Sequence, residues 1–77
     1  MAEKQPNWED CAKRYLKAEM KRADVSYLEL AKRLKKHGLT ETEASIANKL
    51  SRGTFAATFF LTALVALEVD GIRLEDI

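Results

Sequence analysis

One cysteine, one proline, one histidine and three glycines are all that 77 residues contain of those types, and each scarcity excludes something. Cys11 has no second cysteine to join, so no internal disulfide can staple the fold, and the core must hold it. His37 is the one histidine, too few for metal-ligand spacing, and it is expected at a helix end, far from Cys11. Neither a glycine-rich phosphate loop nor a recognisable pair of carboxylates occurs, so no catalytic constellation forms. The expectation is a protein that is not an enzyme, with no cofactor, no metal and no small-molecule substrate. With so little proline and glycine there is also little room for linkers.

Long apolar runs are missing as well. The longest, Phe55 to Leu67, covers 13 residues and contains two threonines, which is too short to span a bilayer and suits a buried helix. Met1–Asn7 is polar and carries no apolar h-region of a secretory signal. These features predict a cytoplasmic protein with no membrane partner.

What is present is the composition of one small globular domain, 47% apolar and 32% charged. The net charge of +1 conceals an asymmetry. Between Lys13 and Lys36 nine Lys or Arg face only Glu19, Asp24 and Glu29. From Thr54 onward Arg73 stands against Glu68, Asp70, Glu75 and Asp76. A basic first half suits a polyanion, although lysine-rich helix surfaces also serve solubility.

Residues 1–6 read as a disordered N-terminus and 7–77 as a single domain. Asn7 can cap a first helix, with Trp8, Cys11, Ala12, Tyr15 and Leu16 on one apolar stripe that ends at Glu19. Ser26 with Glu29, and Thr40 with Glu43, have capping-box spacing, and Val25 with Leu30 can staple the first of the two. A second helix therefore runs from Tyr27 to Lys36, closed by a left-handed Gly38. It turns Tyr27, Leu30, Ala31 and Leu34 inward. The third helix, residues 41–52, turns Ile46, Ala47 and Leu50 inward. Thr54 is expected to cap a fourth helix, 55–67, which is apolar nearly all round. Such a helix is central to a bundle or covered by a second copy of the chain. Asp70-Gly71 turns the chain, and Leu74 to Ile77 can form a last helical turn.

The outward stripe of helix three is Ser45, Asn48 and Arg52, flanked by Lys49. Asn and Arg are the side chains that bond adenine and guanine edges in bidentate fashion. An ordinary solvated helix face would have the same composition.

The order of these pieces, with Leu30-Ala31, Gly38, Ile46, Arg52-Gly53 and the tail from Leu61 to Ile77, resembles the helix-turn-helix domains of Cro-type phage repressors. A second resemblance rests on Tyr27, Leu30-Ala31, Gly38, Ile46, Lys49, Ser51-Arg52-Gly53 and Phe55. That pattern is similar to a small bacterial family known only as a domain of unknown function. Together the two likenesses extend over about Tyr15 to Ile77. The first implies an all-α, compact four- to five-helix bundle holding a helix-turn-helix. Seven positions from Ala31 to Gly38 and eight from Gly38 to Ile46 make the second helix longer, or the turn wider, than the repressor pattern.

Two functions follow. In one, the domain is a transcriptional regulator that reads double-stranded DNA in the major groove with helix 41–52. Ser45, Asn48 and Arg52 would meet base edges, while Lys49, Lys36 and Lys35 would meet phosphates. Thr40 and Thr42, at the helix amino end, would add phosphate contacts. A homodimer through helix 55–67 would place two such helices on a two-fold site. In the other, the same fold is a protein-interaction module that docks a partner on helix 55–67.

Overall fold

The computed structural model describes residues 7–77, so the expected disorder of 1–6 lies outside the described residues. Four helices follow one another: α1 Trp8–Ala23, α2 Tyr27–Lys36, α3 Glu43–Arg52 and α4 Ala57–Ala66, with a 3₁₀ turn at Leu74–Asp76. No strand occurs among the described residues, and the all-helical expectation is met.

The helix ends show why the chain breaks where it does. Asn7 accepts from the Asp10 amide at 3.0 Å and starts α1, whose first turn carries Glu9 and Asp10 at the positive helix end. Ser26 does the same for α2, accepting from the Glu29 amide at 3.1 Å. Glu29 itself turns forward to Arg33 at 3.2 Å, so its capping box is only half made. Val25 and Leu30, the expected staple pair, are both buried. At the far end of α2, Leu39 N–H donates to the Leu34 carbonyl and Gly38 N–H to that of Lys35, each at 3.0 Å. These are the two bonds of a Schellman motif, and Gly38 takes the left-handed φ of +84° that it requires. Six residues, His37 to Thr42, then separate α2 from α3.

Two starts differ from expectation. α3 begins at Glu43 with Thr42 as its cap, and the expected Thr40–Glu43 box does not form. Glu41 is instead drawn against Lys49 at 3.0 Å, with a tenth of its side chain exposed, and so sits ahead of the helix. α4 begins at Ala57, and its cap position is Ala56, which offers no side-chain bond. The reason lies in Phe55, whose ring packs 5.4 Å from that of Phe59 and 5.9 Å from that of Phe60. That anchoring keeps Thr54–Ala56 outside the helix and removes Thr54 from capping range.

α3 and α4 each pack across both α1 and α2. Their shared core is built from Leu16 and Met20, Leu30 and Leu34, Ile46 and Leu50, and Phe59 and Ala63. Each such aliphatic side chain stabilises the fold by roughly 1.5–3 kcal/mol relative to exposure. The stripe predicted for α1 is only partly core. Leu16 is fully buried, but Trp8 is 65% exposed and Met20 takes the inward place at the far end. α4 divides in the same way: Phe59, Ala63 and Ala66 face inward, while Leu61 and Val65 face solvent. Arg33 ties α2 to α4 by donating from Nη1 to the Ala66 carbonyl at 3.1 Å. That places a cation at the negative end of a helix that has none of its own.

Candidate nucleic-acid interface

α3 is held by its inward face and by its cap, and those tasks decide which of its polar side chains are left over. Ile46 and Leu50 anchor it. Thr42 Oγ1 accepts from the Ser45 amide at 3.0 Å, while the Thr42 amide donates to Ser45 Oγ at 2.9 Å. The Ser45 hydroxyl donates in turn to Glu41 at 2.6 Å. Glu41 also pairs with Lys49, whose ammonium lies 5.5 Å from the Phe59 ring centroid. Thr42, Ser45, Lys49 and Glu41 thus form one network that fixes the start of α3.

Asn48 and Arg52 remain. They lie four residues apart, on one face of α3, both exposed, with side chains bonded to no other described residue. Ala44 and Ser51 beside them are exposed and small, so a surface approaching this face would meet little bulk. Lys35, Lys36 and Thr40, from the end of α2 and the turn, are exposed as well. Of the eight residues proposed to meet DNA, five have side chains with no polar partner among the described residues and three are engaged within the protein.

The local charge follows from the same bookkeeping of pairs. Arg14, Arg22, Arg33 and Lys49 are matched with Asp10, Glu19, Glu29 and Glu41. Lys17, Lys21, Lys32, Lys35, Lys36 and Arg52 form no ion pair with any described residue. All are exposed. Lys13 reaches across from α1 and donates to the Ser51 carbonyl at 3.5 Å, placing a cation at the negative end of α3. Its link to α3 was not legible, because the two are 38 residues apart. The Glu41–Ser45–Lys49 network could have been found, since its members follow i, i+4 spacing.

A second surface is apolar. α1, the start of α4 and the tail border a groove of about 390 Å³ lined in part by Trp8, Tyr15, Phe60 and Leu74. Cys11 lies in its wall, half-buried. Among the described residues no helix is long and apolar enough to cross a membrane.

Comparison with known families gives one match. The model of a family described as a domain of unknown function, DUF6471, matches residues 8–72. The chain belongs to this family. Its match spans all four helices and stops short of the 3₁₀ turn. The family description assigns no activity, and the Cro-type features remain a likeness in sequence order. No curated protein and no solved structure matches the chain.

Proposed function

We propose that this DUF6471 domain binds double-stranded DNA, with the exposed face of α3 set toward the major groove. The observation that carries it is the pair Asn48 and Arg52, uncommitted and one turn apart on an outward helix face. Each can make two bonds to a single base edge, Asn48 to adenine and Arg52 to guanine. Lys35, Lys36 and Thr40 would meet phosphates and set position. Thr42, Ser45 and Lys49 act as supports for α3, since contact with DNA would first break the network that starts the helix.

Titration into labelled duplex DNA at low and raised salt tests this directly. Neutralising a handful of phosphates lowers affinity by orders of magnitude between roughly 50 and 200 mM salt. Arg52→Ala should weaken binding by about 1–3 kcal/mol at a preferred site while the circular dichroism stays helical. A wild-type protein that fails to bind at the lower salt would sink the proposal.

A protein-interaction role is the second reading, favoured by Leu61 and Val65, which stand 61% and 60% exposed on α4. It predicts a stable complex lost on substitution of Leu61 or Val65, and no salt-steep affinity for DNA.

A further inference from the structure

The chain carries both halves of an apolar joint on one continuous surface. The concave half is the groove of about 390 Å³ between α1, α4 and the tail, walled by Trp8, Tyr15, Phe60, Leu74 and Ile77. The convex half is the outer stripe of α4. Ala57, Leu61 and Val65 follow i, i+4, i+8 and share one face. Ala57 also lines the groove, so ridge and hollow adjoin there. Trp8 and Leu74 on the hollow side are 65% and 80% exposed, and Leu61 and Val65 on the ridge 61% and 60%. α4 carries no charged side chain, and neither do the described residues that line the groove.

We infer that two copies of this chain associate about a two-fold axis near Ala57, each seating its Leu61–Val65 ridge in the other's Trp8–Leu74 groove. A two-fold contact needs one patch that complements itself, residue i meeting j while j meets i. An adjoining ridge and groove meet that condition, whereas a partner of another sequence would use only one half. Contact between these described side chains therefore strips no charged side chain of its water. Trp8, Leu61, Val65 and Leu74 together expose on the order of 400 Å². That is about half of the roughly 800 Å² that each side of a standard interface buries, the apolar centre that a polar rim would complete. The inference stands on this apolar surface and does not rest on DNA binding.

Sedimentation equilibrium of the full chain, from low micromolar to near-millimolar concentration, should show a monomer–dimer equilibrium. Trp8 is the only tryptophan, so its emission should move to shorter wavelength in step with the dimer fraction. Leu61→Glu on the ridge and Leu74→Lys in the groove should each weaken association roughly tenfold or more, by burying a lone charge. A chain carrying both changes should recover association, because the two new charges then meet across the joint. Circular dichroism confirms that each variant is folded. Leu28→Glu, on an exposed α2 position that does not line the groove, should leave association unchanged. Three results overturn the inference: a wild-type chain monomeric across the range, dimers that survive both single changes, or a double variant that stays as weak as either one.

Discussion

Gly53 is the most constrained of the three glycines. It caps α3 with a φ of +74°, and a Cβ built there would lie 2.3 Å from the Glu9 carbonyl oxygen in the first turn of α1. Backbone on that side cannot yield as a flexible side chain would. Gly53→Ala should therefore cost more than the roughly 1–2 kcal/mol of left-handed strain alone. We expect a loss of about 3 kcal/mol or more, read as a fall of at least ~12 °C in Tm by thermal denaturation. Glu68 shows the opposite case. It adopts a φ of +60° at the end of α4, where Glu68 N–H bonds the Val65 carbonyl and Val69 N–H that of Leu64. The side chain is exposed, so Glu68→Gly should relieve strain and raise stability by about 0.5–1 kcal/mol, net of glycine's greater unfolded-state entropy. An unchanged or lower midpoint in urea would contradict that account.

At the scale of the element, α4 is the helix with the fewest local supports. Its cap position holds alanine, its last turn holds no cation, and Arg33 of α2 supplies the missing charge at its end. Tertiary packing of Phe59, Ala63 and Ala66 holds it in place. Ala56→Ser should add the absent cap and stabilise the domain by roughly 0.5–2 kcal/mol, measured as a higher denaturation midpoint. α3 is the reverse, capped on both sides of its first turn and braced by Glu41 and Lys49. A helix so firmly started fixes the backbone from which Asn48 and Arg52 project.

For the whole molecule, the charge that matters is what internal pairing leaves over. Exposed lysines on α1 and α2 and Arg52 on α3 have no ion-pair partner among the described residues, while Glu43 sits exposed at the leading end of α3. Within the DNA-binding proposal, Glu43 repels phosphate, whereas Glu41 is already neutralised by Lys49. Glu43→Gln should thus tighten DNA binding several-fold at low salt, with the gain shrinking as salt rises. Anisotropy titrations of the two proteins in parallel measure it, and weaker binding by the variant would contradict the placement of α3. If the chain also pairs through α4, binding should become steeper with protein concentration, which sedimentation of the same samples would show.

Local pattern was enough to give four helices, the ends of α2, the left-handed Gly38 and the inward residues of α2 and α3. Each depends on side chains within a few residues of one another, where 3.6-residue periodicity and capping chemistry act. Capping-box spacing pointed to Thr40 with Glu43 as the start of α3, whereas Thr42 with Ser45 makes the cap in the fold. Lys49 and the Phe59 ring, which hold Glu41 outside the helix, made that choice. Thr54 lost the start of α4 to the packing of Phe55 in the same way. Periodicity also could not say how far each apolar stripe would be covered, since coverage depends on which helices cross it. Trp8, Leu61 and Val65 lie on stripes whose apolar pattern suits burial in the bundle or, for helix 55–67, under a second copy. They stand exposed in the single chain because α1 and α4 pack on their neighbours by only part of their apolar surface.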